Sequence, residues 1–202
     1  MKQGISWVAC LILCLCMVPQ IVFAVESTQR SQSPYVVNLE NRTISFQDGV
    51  SLAVGDDVNK LYGILGLPLS VDKSENGELY FWYFDNHVVV RVSAPILDGG
   101  GPIIYEHRCF IRSILIASDQ FVTDKCVRIG DSFEKFMNAY NFKGKIDFSK
   151  DGEAKSLLIN PDSKYVATLL EYKGDSGVDY KSVIYRGTQL QFEDNKLISL
   201  NI

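Results

Sequence analysis

Apolar residues follow three kinds of pattern along the chain. A continuous apolar run covers positions 5–17 near the N-terminus. The segments VGDDVNKLYGILG (54–66) and IGDSFEKFMNAYN (129–141) repeat their apolar residues at helical spacing. Runs rich in β-branched and aromatic residues, separated by turn residues, follow each of these segments. The pattern predicts two helices, each followed by antiparallel strands.

The two helical segments share the signals that begin a helix. Identical residues recur 75 positions apart as the pairs Gly55/Gly130, Asp56/Asp131 and Lys60/Lys135. Each glycine interrupts the preceding pattern, and the aspartates (with Asp57 as an alternative in the first segment) can accept hydrogen bonds from first-turn amides. We therefore predict an α+β fold of two tandem repeats, at 44–120 and 121–202. Each repeat would pack one helix on an antiparallel β-meander, and the two could share one sheet.

The N-terminal run is typical of a secretory signal peptide. A single cation, Lys2, precedes the run, and the small-residue pattern Val22-Phe23-Ala24 follows it, which predicts cleavage after Ala24. A membrane anchor and a lipoprotein (on Cys10, Cys14 or Cys16) are the alternatives, but the run is shorter than a typical span and no convincing lipobox precedes a cysteine. Residues 25–43 form a polar segment. We predict a periplasmic or secreted protein without a stable membrane anchor after cleavage.

The mature chain would keep only two of the five cysteines, Cys109 and Cys126, which predicts one disulfide in an oxidising compartment. Removal of Lys2 leaves 19 basic and 24 acidic residues, a formal net charge of −5. Basic residues form no cluster, so the chain lacks the electrostatic signature of nucleic-acid binding.

The pattern of glycine and aspartate opening a helix, followed by Gly-Leu-Pro and aromatic-rich strands, resembles a known family. It is similar to the small envelope modules of the SmpA/OmlA (BamE) type, and its tandem layout resembles beta-lactamase inhibitory proteins. The residues that carry the resemblance are Gly55, Asp56, Leu61, Leu65, Gly66, Pro68, Tyr80, Trp82, Gly130, Asp131 and Phe136. The resemblance implies a layered α+β protein that binds other proteins and has no active site. The chain departs from the SmpA/OmlA pattern because it has two units and no lipobox. It departs from the inhibitory proteins because only one disulfide is predicted.

Candidate catalytic and metal-binding motifs are incomplete. Gly174-Asp175-Ser176-Gly177 resembles a serine-protease nucleophile segment, but no segment typical of its histidine base is present. The calcium-loop pattern that begins at Asp147 has leucine where a bidentate glutamate is required. His87 and His107 lack a second histidine or cysteine at ligand spacing. We predict no enzyme activity, no metal and no cofactor.

The segment Leu79–Phe84 contains five consecutive aromatic residues and is the strongest candidate for binding. Because side chains alternate along a strand, one face would carry Tyr80, Trp82 and Phe84. The other face would carry Leu79, Phe81 and Tyr83. A sheet covered by helices on one side needs only one apolar face, so the second aromatic face is either covered by the N-terminal segment or the other repeat, or exposed to bind a partner. The predicted partner-binding residues are Tyr80, Trp82, Phe84, Asp85, His87 and Arg91.

These patterns favour an exported protein that binds another protein of unknown identity. An inhibitor or immunity-type protein that occludes its partner with an aromatic sheet face is the preferred hypothesis. An envelope assembly or structural module is the alternative, and a secreted hydrolase using the two histidines is a third.

Overall fold

The computed structural model describes residues 35–75, 78–93, 96–97, 101–102, 109–148 and 154–202. The predicted leader at 1–24 and His107 lie outside these residues, as does most of the polar segment at 25–43. No helix among the described residues has the length and apolar character needed to cross a membrane.

Strands make up most of the described chain. In the first half they are β1 (Tyr35–Asn38), β2 (Thr43–Ser45), β3 (Ser51–Ala53), β4 (Ser70–Lys73), β5 (Leu79–Tyr83), β6 (Val88–Ser93), β7 (Ile96–Leu97), β8 (Gly101–Pro102) and β9 (Phe110–Ile116). In the second half they are β10 (Phe121–Thr123), β11 (Gly144–Asp147), β12 (Ala154–Ile159), β13 (Val166–Lys173), β14 (Asp179–Tyr185), β15 (Thr188–Glu193) and β16 (Lys196–Asn201). The described helices are α1 (Val58–Leu65) and α2 (Phe133–Ala139).

The predicted α+β fold of two helix-on-meander repeats is wrong. The chain is mostly β, and ten of its strands form one antiparallel sheet in the order β11-β12-β13-β14-β15-β16-β9-β6-β5-β4. Strands from both halves of the chain meet where β16 pairs with β9, through Leu200 opposite Ile116 and Asn201 opposite Leu115. This pairing covers two strand edges that separate meanders would leave open. Residues 33–202 accordingly form one compact unit.

A smaller sheet has the order β10-β1-β2-β3. Its β1 is antiparallel to β2 but parallel to β10, with Tyr35 opposite Phe121. Among the described residues, the short strands β7 and β8 pair only with each other.

The core lies between the ten-stranded sheet on one side and the helices and smaller sheet on the other. From α1, Tyr62 stacks on Phe81 of the large sheet, with ring centroids 5.8 Å apart. From α2, Phe136 packs against Phe192 at 5.7 Å. The smaller sheet contributes residues of the same buried cluster, namely Val37, Ile44, Leu52 and Phe121. We call the covered side of the large sheet its inner face and the opposite side its outer face.

The two helices begin with closely similar hydrogen bonds. Gly55 (φ +97°) and Gly130 (φ +90°) adopt the left-handed conformation that favours glycine. Asp56 Oδ2 accepts hydrogen bonds from the Ala53 amide at 2.7 Å and from Lys60 Nζ at 2.8 Å.

The corresponding carboxylate of Asp131 accepts hydrogen bonds from the Arg128 amide and from Lys135 Nζ, both at 2.7 Å. These aspartates hold the turn before each helix, whereas the N-caps themselves are Asp57 and Ser132. The predicted cap at Asp131 therefore lies one residue too early.

The structure does not contain the predicted disulfide between Cys109 and Cys126. Cys109 is buried immediately before β9, and its carbonyl oxygen accepts a hydrogen bond from the Val58 amide at the start of α1. Cys126 is exposed in the turn after β10, with a φ of +61°.

Candidate functional site

One row of outer-face side chains crosses all ten strands of the large sheet. The pairing register places them side by side, in the order Ser70, Trp82, Val89, Leu115, Asn201, Gln189, Ile184, Thr168, Leu157 and Ile146. Within this outer row, Leu115 is 39% exposed, Ile184 is 40% exposed and Ile146 is 53% exposed.

The neighbouring row, one residue along each strand, points to the inner face. It contains Tyr83, Val88, Ile116, Leu200, Leu190, Val183, Leu169 and Ser156, none of which is more than 4% exposed. The inner row is therefore buried, whereas the outer row carries exposed apolar side chains among polar ones. Antiparallel sheets commonly present mainly polar side chains on the face that meets water, so the exposed apolar residues of the outer face are candidates for interaction.

Polar contacts fix the part of the outer face formed by β4, β5 and β6. Trp82 Nε1 donates to Asp72 Oδ2 at 2.8 Å, and the Tyr80 hydroxyl donates to Glu78 Oε2 at 3.3 Å. Arg91 Nη1 lies 3.8 Å from the same Glu78 oxygen. These contacts hold the indole and phenol rings in place while leaving both side chains partly exposed.

The structure brings three of the six predicted binding residues together. Tyr80 and Arg91 lie opposite each other on β5 and β6, and Trp82 is in the next outer-face position of β5. On the inner face of β6, Val88, Val90 and Val92 are at most 1% exposed, and on its outer face Val89 is 9% exposed and Arg91 is half-buried.

Phe84 does not share the face of Trp82, contrary to the prediction. The strand ends at Tyr83, and Phe84 enters a four-residue turn (84–87) with a φ of +51°. Its ring packs against Tyr35 at 5.6 Å and against Phe121 at 5.3 Å, both at edge-on angles. Phe84 thus fastens the turn to the smaller sheet.

The remaining predicted residues lie at the rim of the outer face. Asp85 and His87 are exposed in the same turn. His87 Nδ1 is 3.2 Å from the carbonyl oxygen of Phe84, so the imidazole contacts the turn backbone. Because Phe84 leaves the strand, the turn between β5 and β6 covers residues 84–87.

A second aromatic site on the outer face was not predicted. Tyr172 of β13 and Tyr180 of β14 lie opposite each other, with rings stacked at 5.4 Å and an interplanar angle of 14°. They border a cleft of about 800 Å³, whose other lining residues include Leu170, Lys173, Asp179 and Lys181. Register was needed to find this pair, since the two tyrosines are separated by a turn in the sequence.

The described residues show no cluster suited to metal binding. No group of three or more histidine, cysteine, aspartate or glutamate residues in the described part of the chain could hold a metal ion. The segment from Gly174 to Gly177 forms the β13–β14 turn, in which the Gly177 amide donates to the Gly174 carbonyl at 2.9 Å.

Comparison with known proteins supplies no family. No protein-family profile matches the chain, and no curated protein sequence matches it. A solved structure with some similarity is that of an extracellular protein containing a SCP domain from Bacillus anthracis str. Ames, with 12% sequence identity and a TM-score of 0.38. The similarity covers 73% of this chain but only 43% of that chain, and a score this low carries no argument about fold or function.

Proposed function

We propose that this chain is an exported, non-enzymatic protein that binds another protein through the outer face of its ten-stranded sheet. The observation that carries the proposal is the outer row, in which Trp82, Leu115 and Ile184 are partly exposed while the row beside it is buried. Tryptophan, tyrosine and arginine are enriched among the residues that contribute most of the binding energy at protein interfaces, and Trp82, Tyr80 and Arg91 lie together on this face.

Export rests on the sequence of the leader. A cation followed by the apolar run and the Val22-Phe23-Ala24 pattern favours secretion into the periplasm or beyond. In that compartment, the occluding sheet face would serve an inhibitor or immunity-type role.

Capture of the partner tests the proposal. The tagged chain is incubated with envelope and secreted extract of the producing organism, and bound proteins are identified by mass spectrometry. We expect one protein in stoichiometric amount with the wild-type chain, and its loss with Trp82→Ala and with Leu115→Asp. Leu67→Asp is the matched control, because Leu67 is 81% exposed in the loop after α1.

Two outcomes would contradict the proposal: recovery of no stoichiometric protein, or equal recovery by Leu115→Asp and Leu67→Asp. The identity of the captured protein distinguishes the hypotheses about its role. A toxin or enzyme whose activity falls on binding supports inhibition, whereas an envelope assembly component supports the alternative role.

A further inference from the structure

The strand β11 (Gly144–Asp147) forms one end of the ten-stranded sheet. Within the described residues it pairs only with β12, so its second edge is open. Four of the five residues from Gly144 to Phe148 are exposed, including Ile146 at 53% and Phe148 at 40%. Open edges with exposed apolar side chains are where sheets add a further strand.

The hydrogen-bond pattern shows which backbone groups of β11 are available. The Phe148 amide donates to the Lys155 carbonyl at 2.8 Å, so residue 148 points its backbone groups toward β12. Since this direction alternates along an antiparallel strand, Gly144 and Ile146 also point toward β12. The amides and carbonyls of Lys145 and Asp147 consequently point outward.

A second copy of the chain can meet this edge in only a few registers. A two-fold axis perpendicular to the sheet places the two β11 strands antiparallel, with outward-pointing residues opposite each other. A register centred on Lys145 places two lysines opposite each other, and one centred on Asp147 places two aspartates opposite each other. A register centred on Ile146 instead pairs each Lys145 with Asp147 of the second copy.

The register centred on Ile146 also matches the remaining side chains. The two Ile146 side chains meet at the axis, on the outer face. Phe148 lies opposite Gly144 of the second copy, and an edge glycine leaves room for an aromatic ring. The sequence Gly-Lys-Ile-Asp-Phe is thus complementary to itself when it is read antiparallel.

Both charged groups are ionised near neutral pH and already hold defined positions. Lys145 Nζ lies 2.8 Å from Glu171 Oε2 and 3.4 Å from Asp147 Oδ1. The hydrogen bond to Glu171 is the main reason that the pKa of Lys145 is raised. The hydrogen bond from Ser156 is the main reason that the pKa of Asp147 is lowered.

We propose that two copies of this protein associate through β11, antiparallel and centred on Ile146, and so join their sheets into one of twenty strands. The association uses the strand edge at Lys145 and Asp147, whereas the proposed partner binds the outer face around Trp82, Leu115 and Ile184. The segment is short, so the interface belongs to the weak, concentration-dependent class.

The opposite edge of the sheet provides a matched comparison. β4 (Ser70–Lys73) is also exposed, and the Ser74 amide donates to the Glu78 carbonyl at 2.9 Å, which leaves the backbone groups of Val71 and Lys73 pointing outward. The register centred on Val71 brings Lys73 opposite Leu69 and Asp72 opposite Ser70. This register of β4 forms no ion pair, whereas the register of β11 centred on Ile146 forms two, so β11 is the favoured edge.

Analytical ultracentrifugation of the purified protein over roughly two orders of magnitude in concentration, up to about 1 mM, tests the proposal. We expect a reversible monomer–dimer equilibrium for the wild type. Lys145→Asp and Asp147→Lys each place like charges opposite each other at two symmetric positions, and should weaken the dimer at least tenfold. An equimolar mixture of these two variants should dimerise again, because the acidic edge of one chain then faces the basic edge of the other.

The control is Asp72→Lys on β4, which should dimerise as the wild type does. Because Asp147 also accepts a hydrogen bond from Ser156 at 2.7 Å, Ile146→Lys provides a second disrupting variant, and thermal unfolding verifies that each variant folds. The proposal is overturned by a wild type that stays monomeric, by a mixture that fails to restore the dimer, or by equal disruption from Asp72→Lys. Species larger than a dimer would also overturn it. They would indicate that β4 of one copy pairs with β11 of the next, an arrangement that keeps adding copies.

Discussion

Phe84 and Trp82 should have opposite roles, although only two positions separate them. Phe84 packs edge-on against Tyr35 and Phe121, whereas Trp82 makes one hydrogen bond to the exposed Asp72. Phe84→Ala should therefore reduce the free energy of unfolding and leave partner capture intact. Trp82→Ala should leave the free energy of unfolding nearly unchanged and abolish partner capture.

The magnitudes follow from the contacts of each ring. Replacing a fully buried phenylalanine by alanine costs about 3–5 kcal/mol, and Phe84 is only partly buried. Phe84 buries less area than a core phenylalanine, but its replacement also removes two edge-on aromatic contacts. We therefore expect Phe84→Ala to lower the free energy of unfolding by about 2–3 kcal/mol. Trp82→Ala should stay within about 1 kcal/mol, since the indole is partly exposed and its hydrogen bond is at the surface.

Urea unfolding followed by circular dichroism measures both values. Thermal unfolding should show a decrease in Tm of about 5–10 °C for Phe84→Ala and a small change for Trp82→Ala. Capture from extract at a temperature where both variants are folded then measures binding. The reasoning is refuted if Phe84→Ala unfolds like the wild type, or if it abolishes capture while remaining folded.

Two further predictions concern the helix starts. Gly130→Ala should lower the free energy of unfolding by about 1–2 kcal/mol because φ is +90°. Gly63→Ala within α1 should instead raise it by about 0.5–1 kcal/mol. Changes of the same sign for both variants in urea unfolding would contradict this backbone argument. Burial opposes ionisation of Asp131, but the hydrogen bonds from Lys135 and the Arg128 amide lower its pKa. Ionised Asp131 therefore stabilises the fold above its unfolded pKa of about 4, and this contribution is lost as pH falls through the lower folded pKa. Asp131→Asn should make the free energy of unfolding depend less on pH between about pH 2 and 5. An unchanged pH dependence in that range would refute this assignment.

Local features of the fold could be predicted from the sequence. The spacing of Val58, Leu61 and Leu65 indicates α1, and the strand boundaries in β5 and β6 differ from the prediction by one residue. Such features depend on side-chain periodicity and on cap residues, which are local in sequence.

The assembly of strands into sheets could not be predicted in the same way. The short strands β3, β4, β10 and β11 were missed, and β4 is exposed at all four positions, so it has no alternation to detect. The parallel pairing of β1 with β10 joins residues far apart in sequence. The pairing of β9 with β16 is likewise non-local, and the sequence offered a shared sheet only as one option, without the strands that would join it.

Only part of the candidate site could be predicted, because the rest depends on non-local strand pairing. Tyr80, Trp82 and Arg91 follow from alternation within one hairpin, whereas the positive φ of Phe84 reverses the direction of its ring. Leu115 and Ile184 were missed because β9 and β14 carry apolar residues on both faces. Only the pairing register assigns those side chains to the outer face.

Hydroxyl-radical footprinting of the chain, alone and bound to its captured partner, tests the central claim most directly. Trp82, Leu115 and Ile184 should be modified in the free chain and protected in the complex, while Leu67 should be modified equally in both. Protection confined to other surfaces, or outer-face residues that remain unmodified in the free chain, would contradict an open binding face.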